Sequence, residues 1–278
     1  MAVVVVTGCS SGLGRSTALR LARRGDRVYA TMRNAERGKE LLDEAEAVDL
    51  EVLDLDVTSD ESVGRAVAQV LERDGTVDVV VNNAGIVHMG SVELLPDALM
   101  RETFETNVFG PLRVLRAVLP TMRAQGSGTV VNVSSCAGRV PGLPIHGSYM
   151  ASKHALSVLS DSLAMEVKPL GIRVVCIEPG FFRTPIFTKS TMPTDAGSPY
   201  RTLDEAVVRF MLDGVDQGAD TDAVAEAVID AIDHDDGRVH VLVGEDAEAF
   251  VAQDRASTDA ELQAFYTEVL GLQAATLA

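Results

Sequence analysis

Short apolar runs alternate with longer amphipathic stretches along most of this chain. The apolar runs are rich in Val, Ile and Leu and lie at residues 3–6, 27–31, 50–55, 77–81, 129–133 and 173–177, with a later candidate at 239–243. Continuous apolar runs of this length are typical of strands that are buried on both faces of a parallel sheet. The sequence therefore predicts six such strands and a possible seventh.

The stretches between these runs have the apolar spacing of helices. Helices are predicted over residues 14–24, 59–72 and 148–167, and the stretch 95–125 is long enough for two. Alternating strands and helices with short connections give right-handed crossovers and helices on both faces of one sheet. We therefore predict an α/β fold with a doubly wound parallel sheet, as a single domain over residues 1–278 with a small C-terminal helical extension on the substrate side.

Composition and charge exclude several classes of protein. The 278 residues include 41 Asp and Glu against 24 Lys and Arg, for a formal net charge of −17. Nucleic-acid binding is not expected, because it needs a basic patch. The chain has three cysteines, Cys9, Cys136 and Cys176, which is an odd number, and they are far apart in the sequence. We therefore expect no disulfide framework, no metal site and a reducing, cytoplasmic location. We expect neither a signal peptide nor a membrane span, because no apolar stretch has the length and flanks of either.

A glycine-rich turn follows the first strand and opens the first helix. Residues 7–14 read TGCSSGLG, with Gly8, Gly12 and Gly14. Glycines allow a close backbone approach to a pyrophosphate, and the helix N-terminus attracts the anion. The spacing differs from the G-x-G-x-x-G fingerprint, and such a turn can be purely structural. Its context favours a dinucleotide site, where the helix dipole and Arg15 should outweigh the long-range repulsion from the net charge.

The residues after the second strand bear on which dinucleotide is bound. A carboxylate there would bind the ribose 2′-OH of NAD, whereas an arginine accommodates the 2′-phosphate of NADP. Here Met32 and Arg33 follow the strand and no acid is present. Arg33 can pair with the phosphate, or it is a solvated loop cation. We therefore predict NADP(H) over NAD(H).

Polar residues also end the third and fourth strands. Asp56 could accept a hydrogen bond from the adenine amino group, or it is a turn residue. Asn83, Ala84 and Gly85 could line the cofactor ribose, or they close a turn through bonds from side chain to backbone. The carboxyl ends of parallel strands are where ligands bind in this fold class, so both motifs are candidates.

A candidate catalytic set follows the fifth strand. Tyr149 and Lys153 are four residues apart on a predicted helix, so they share one face. A nearby ammonium should lower the pKa of the phenol and fit it for proton transfer to an alkoxide. Ser134 and Ser135 close the fifth strand, where a hydroxyl could hydrogen-bond a carbonyl oxygen.

Taken together, these motifs resemble the short-chain dehydrogenase/reductase family, over roughly residues 2 to 245. The resemblance to the family rests on the glycine loop, the Asn-Asn-Ala-Gly turn, Asn107, the serine pair, Tyr149 with Lys153, and Pro179-Gly180 followed by Thr184. The stretch from YMASKHAL at Tyr149 through residues 178–184 is most similar to the branch that contains 17β-hydroxysteroid and retinol dehydrogenases. The family has a Rossmann fold and transfers hydride to or from a nicotinamide cofactor.

The resemblance implies a role for each matching residue. Tyr149 is the general acid/base, Lys153 lowers its pKa and binds the nicotinamide ribose, Ser135 orients the carbonyl, and Asn107 holds a water that links Lys153 to solvent. The implied cofactor-binding residues are Gly8, Ser10, Ser11, Gly12, Leu13, Gly14, Arg33, Asp56, Val57, Asn83, Ala84, Gly85, Tyr149, Lys153, Pro179, Gly180 and Thr184.

Two departures from the family pattern matter. Ser135 lies 14 residues before Tyr149, one more than the usual spacing, so Ser134 and Ser135 remain alternatives. Ser11 stands before Gly12, where many NADP enzymes have Arg or Lys, which weakens the NADP prediction.

The predicted substrate side is mostly apolar. Residues 181–235 are expected to form an irregular lid and helices over the substrate site, with pocket residues Leu143, His146, Phe181, Phe182 and Phe187. The phenylalanines could instead pack the lid onto the core, and His146 could be an ordinary loop residue. We expect a hydrophobic ketone or secondary alcohol as substrate and a homodimer or homotetramer. The alternatives are an NAD-linked alcohol dehydrogenase and a non-catalytic nucleotide-sensing regulator.

Overall fold

A parallel sheet forms the centre of the molecule. The computed structural model describes residues 1–45, 48–187, 190 and 197–272. The strands within these ranges are β1 (Val3–Val6), β2 (Arg27–Met32), β3 (Leu50–Asp54), β4 (Val79–Asn82), β5 (Gly128–Val133), β6 (Ile172–Pro179) and β7 (His240–Val243). Their order across the sheet is β3-β2-β1-β4-β5-β6-β7, and all neighbours are parallel. The predicted doubly wound sheet is confirmed, including its seventh strand.

Helices cover both faces of this sheet. They are α1 (Gly12–Arg24), α2 (Lys39–Glu44), α3 (Asp60–Asp74), α4 (Asp97–Phe104), α5 (Gly110–Gln125), α6 (Gly147–Val167), α7 (Arg201–Asp216), α8 (Asp222–Asp233), α9 (Glu245–Ala256) and α10 (Asp259–Val269). The stretch 95–125 does contain two helices, α4 and α5, joined by a π-helical turn at Glu105–Phe109.

The valine run of β1 explains why the sheet is buried on both sides. Successive side chains of a strand point to opposite faces. Val4 and Val6 accordingly pack in the cluster that includes α1, whereas Val3 and Val5 pack with α3 and α5. All four are buried. A strand that alternated apolar and polar residues would leave one of these two helical layers without an apolar partner.

The helices of the C-terminal third pack in two different regions, beside a cavity and in the core under the sheet. Phe210 of α7, Phe250 of α9 and Tyr266 of α10 line a cavity beside the carboxyl ends of β5 and β6. In contrast, the buried side chains of α8 pack in the core cluster with α1 and the sheet. The predicted lid of residues 181–235 therefore includes one helix, α8, that does not lie over this cavity. Residues 188–189 and 191–196 of that range lie outside the described part.

Candidate active site

The glycine loop after β1 packs closely against the turn after β4. Gly8 and Gly12 have φ values of 74° and 60°, in the left-handed region that favours glycine. A Cβ on Gly14 would lie 2.2 Å from Nδ2 of Asn83. That amide donates a hydrogen bond to the Thr7 carbonyl at 2.8 Å. Asn83 therefore joins the two turns, and a side chain at Gly14 would push them apart.

A crevice of about 1900 Å³ runs along the carboxyl ends of the strands, where the strand order reverses between β1 and β4. It extends from Arg33 after β2, past the glycine loop, to Tyr149 and Lys153 on α6. Most predicted cofactor-binding residues line it, namely Gly8, Ser10, Ser11, Gly12, Leu13, Arg33, Asp56, Val57, Asn83, Ala84, Gly85, Tyr149, Lys153 and Thr184. Pro179 and Gly180 line the neighbouring cavity instead.

The residues of this crevice fit a dinucleotide. The first turn of α1 reads Gly-Leu-Gly-Arg and contains no acid that would compete with a phosphate for the helix N-terminus. Arg33 is exposed on the rim of the crevice. Arg15, which was expected to assist phosphate binding, instead pairs with Glu44 at 2.7 Å. The glycine backbone and the helix N-terminus therefore remain the main anion-binding features of the loop.

Asp56 has a turn function that its sequence context left open. Its Oδ1 accepts hydrogen bonds from the Thr58 backbone N–H at 2.9 Å and from the Thr58 hydroxyl at 2.7 Å. These bonds hold the carboxylate at the crevice wall beside Val57. The two predicted roles of Asp56 are compatible, because its second carboxylate oxygen could still accept a hydrogen bond from adenine.

Asn107 lies in the π-helical turn between α4 and α5. Its Oδ1 accepts from the Ile86 N–H at 2.9 Å, and its Nδ2 donates to the Ile86 carbonyl at 2.9 Å and to the Ser152 hydroxyl at 3.0 Å. Single π turns inside α-helices are frequent at functional sites. This side chain ties the chain after β4 to α6, one residue before Lys153.

Tyr149 and Lys153 lie on one face of α6, as their spacing predicts. Lys153 is only 4% exposed, and its Nζ donates to the Val133 carbonyl at 2.9 Å. The same nitrogen is 5.6 Å from the centre of the Tyr149 ring. A Cβ built on Gly85 would be 3.7 Å from Nζ, so the turn after β4 closes over the ammonium.

The pKa of the phenol is shifted in the direction opposite to our prediction. Burial raises the pKa of Tyr149, and a hydrogen bond with Ser135 only partly offsets this rise. Burial also lowers the pKa of Lys153 to about 8. The cost of removing the charged form of each group from water therefore determines the direction of both shifts. In this geometry the phenol is protonated at neutral pH.

The two serines that end β5 have different surroundings. Ser134 is buried, and its hydroxyl contacts the Lys153 carbonyl and the Ser157 hydroxyl, each at 3.1 Å. Ser135 opposes the rise in the pKa of Tyr149, so its side chain lies beside the phenol, and its hydroxyl donates to the Pro179 carbonyl at 3.3 Å. Of the two alternatives, the geometry therefore favours Ser135 as the residue beside the phenol.

An apolar cavity of about 830 Å³ adjoins the crevice at Tyr149. All five predicted pocket residues line it, namely Leu143, His146, Phe181, Phe182 and Phe187. Phe181 also packs edge-on against Phe210, with the ring centres 5.6 Å apart. The two proposed roles of the phenylalanines, cavity lining and lid packing, are thus both present.

Sequence reasoning placed C-terminal helices on the substrate side but did not name the side chains by which they line this cavity. The missed lining residues are Phe210, Met211 and Val215 of α7, Phe250 of α9 and Tyr266 of α10. The signal that could have found them is the presence of large aromatic residues in otherwise acidic helices, in a chain with only 4% aromatic residues.

Comparisons with known proteins agree with this fold and site. The matches described below show an oxidoreductase of a class that uses a nicotinamide cofactor. The family model for short chain dehydrogenase matches residues 2–194. The chain belongs to this family.

Individual relatives cover most of the chain. The crystal structure of a short-chain dehydrogenase from Streptomyces avermitilis is 38% identical with a TM-score of 0.85, covering 97% of this chain and 98% of its own. The 3-ketodihydrosphingosine reductase of Bacteroides thetaiotaomicron is 39% identical over 66% of this chain and 64% of its own length. Human 17-beta-hydroxysteroid dehydrogenase type 1 is 40% identical over 73% of this chain and 62% of its own length.

Solved structures with bound cofactors include both nicotinamide types. An alcohol dehydrogenase from Thermococcus sibiricus, complexed with 5-hydroxy-NADP, is 29% identical with a TM-score of 0.71, covering 87% of this chain and 95% of its own. A Burkholderia phymatum short chain dehydrogenase/reductase in complex with NAD is 26% identical with a TM-score of 0.81, covering 94% and 95%. Among the described residues, no helix is both long and apolar enough to cross a membrane.

Proposed function

We propose that this protein transfers hydride between NADP(H) and a hydrophobic ketone or secondary alcohol. The observation that carries the proposal is the position of Tyr149, whose side chain lines both the cofactor crevice and the apolar cavity. A group at this junction can reach the oxygen of a substrate in the cavity while the reacting carbon faces the crevice. The relatives named as a ketone reductase and a hydroxysteroid dehydrogenase support the same substrate class.

The side chains have distinct tasks in this proposal. A bound nicotinamide would supply the hydride for reduction or accept it in oxidation. Ser135 would hydrogen-bond the substrate oxygen, and Tyr149 would give its proton to that oxygen as negative charge develops. Because its pKa is raised, the phenol holds the proton that reduction requires. Lys153 would hold the nicotinamide ribose, and Asn107 would hold the water that links Lys153 to solvent.

A tyrosine variant tests this mechanism. Tyr149→Phe removes the proton donor but retains the ring, so we expect unchanged cofactor affinity and a loss of turnover of about 10²- to 10⁴-fold. The assay follows NADPH absorbance with a panel of hydrophobic ketones that includes steroids and retinoids. Unchanged turnover would reject the assigned role of Tyr149. Cofactor binding without turnover of any ketone would favour a nucleotide-sensing regulator.

Arg33 supports the preference for NADP(H). It is exposed on the crevice rim where a 2′-phosphate would lie, and Met32 beside it offers no repelling carboxylate. Nicotinamide fluorescence titration should show tighter binding of NADPH than of NADH. Arg33→Ala should weaken NADPH binding by about tenfold and leave NADH nearly unaffected. Equal affinities in the unmodified protein would favour an NAD-linked alcohol dehydrogenase.

An apolar surface supports assembly into a homodimer or homotetramer. Phe109 in the π-helical turn is 47% exposed, and Val158 and Met165 of α6 are 63% and 74% exposed. Exposed apolar residues in one region are typical of subunit contacts. Light scattering coupled to size-exclusion chromatography should give a mass of two or four chains, and a monomer would reject this part of the proposal.

A further inference from the structure

His146 is a buried polar side chain that the mechanism above does not use. It immediately precedes α6, is 2% exposed and lines the apolar cavity. Its ring lies against Tyr149 at a centre-to-centre distance of 4.9 Å and near Phe187 at 5.9 Å. The imidazole is thus adjacent to the phenol that transfers the proton.

Nδ1 of His146 is fully buried and has no hydrogen-bond partner among the described residues. A buried polar atom without a hydrogen-bond partner destabilises the fold. An imidazole can avoid a buried, unpartnered N–H group by carrying its proton on the other ring nitrogen. We therefore expect Nδ1 to carry no proton and Nε2 to carry it. In that tautomer the side chain presents one N–H donor.

The charge state of His146 limits the kinds of ligand group that its N–H can bind. Burial lowers the pKa of His146 to about 4, so the ring is neutral at physiological pH. The side chains around it in the cavity are chiefly apolar, such as Leu143 and Phe187. A charged carboxylate would lose its hydration there without gaining an opposite charge. The fitting partner is a neutral oxygen.

We propose that His146 is a specificity-determining residue that donates a hydrogen bond to a second, neutral oxygen of the substrate, a few bonds from the carbonyl that is reduced. This inference rests on the proposed function and narrows it. The substrate class becomes hydrophobic ketones with a neighbouring carbonyl or hydroxyl oxygen, such as β-keto esters and hydroxy ketones. Simple apolar ketones would leave the imidazole without a partner and should react less well.

A matched pair of ketones tests the inference. Ethyl benzoylacetate has a second carbonyl near its ketone, and hexanophenone is a similar aryl ketone without one. The measured quantity is the ratio of kcat/KM for the two, compared between proteins so that their intrinsic reactivities cancel. His146→Phe should reduce this ratio by about tenfold, whereas His146→Gln, which keeps an N–H donor, should retain most of it.

A histidine elsewhere on α6 provides the control. His154 hydrogen-bonds the Met150 carbonyl at 2.9 Å and does not line the cavity. His154→Gln should leave the ratio within twofold of the original value. If His146→Phe also leaves it within twofold, the inference is overturned.

A second readout does not depend on turnover. The chain has five histidines, so ¹⁵N–¹H NMR of ¹⁵N-histidine-labelled protein, assigned with the His146→Gln variant, reports the tautomer directly. We expect Nε2 to carry the proton, and its signal should shift with ethyl benzoylacetate more than with hexanophenone. A proton on Nδ1, or equal responses to both ketones, would contradict the inference. If neither ketone is reduced but these shifts occur, the proposed catalysis fails while the recognition by His146 stands.

Discussion

A buried carboxylate at the end of β6 is held by side chains from three other segments. Glu178 is 1% exposed, and its Oε1 accepts hydrogen bonds from His240 Nδ1 at 2.9 Å and from the Ser157 hydroxyl at 3.1 Å. Arg139 is 3.8 Å from the same oxygen. The other nitrogen of His240 bonds Asp161 at 2.7 Å. His240 therefore fastens the edge strand β7 to both β6 and α6.

Removal of the imidazole should destabilise the fold. Removing one partner from a buried ion pair costs about 3–5 kcal/mol, because the remaining charge is left uncompensated. Here Arg139 still faces Glu178, and the His240 side chain is 20% exposed. For His240→Gln we therefore expect a smaller loss of about 2–3 kcal/mol in the free energy of unfolding at pH 7.

The pH dependence gives a separate test of the same contact. Hydrogen bonds with Cys176, Glu178 and Asp161 raise the pKa of His240 from 6.5 to about 10. A raised pKa in the folded state means that the protonated ring stabilises the fold. This contribution is fully present below pH 6.5 and is lost as the pH rises toward 10. The unmodified protein should therefore lose this stabilisation between pH 7 and pH 10, whereas His240→Gln has none to lose.

The assay is urea unfolding followed by far-UV circular dichroism, because the chain contains no tryptophan. His234→Gln is the matched control. His234 pairs with Asp230 at 2.8 Å, but both side chains are exposed, so its loss should cost less than about 0.5 kcal/mol. Equal losses for the two variants, or parallel pH profiles for His240→Gln and the unmodified protein, would refute the reasoning.

Three further predictions follow from the contacts of single residues. Gly14→Ala should weaken cofactor binding more than tenfold, because the new Cβ would lie 2.2 Å from the side-chain amide of Asn83. The control is Gly64→Ala, whose Cβ would meet nothing within 4 Å and which should stabilise the protein by about 1 kcal/mol. Ser135→Ala should reduce kcat by about 10²-fold, whereas Ser134→Ala should chiefly reduce stability, by about 1 kcal/mol; the reverse pattern in steady-state kinetics would exchange their roles. Cys9 is buried with its pKa raised to about 12, so it should react with a thiol reagent at pH 8 only after unfolding.

Local pattern was sufficient to predict the fold and to name candidate motifs that the structure brings to one crevice. The apolar runs predicted the parallel sheet because every central strand is buried on both faces, which leaves a direct mark on composition. The spacing of Tyr149 and Lys153 likewise placed both on one face of α6, since that relation depends only on helix geometry. Turn motifs such as the glycine loop identified the crevice, because ligands bind where parallel strands end.

Contacts between distant segments required the folded structure. The cavity takes Phe250 and Tyr266 from helices about a hundred residues beyond Tyr149, and no local pattern records which helix will pack there. The rise in the pKa of Tyr149 comes from its burial in the folded chain, so the spacing to Lys153 could not predict it. Packing and desolvation are sums over neighbours that only the folded chain brings together, whereas periodicity and spacing belong to the sequence itself.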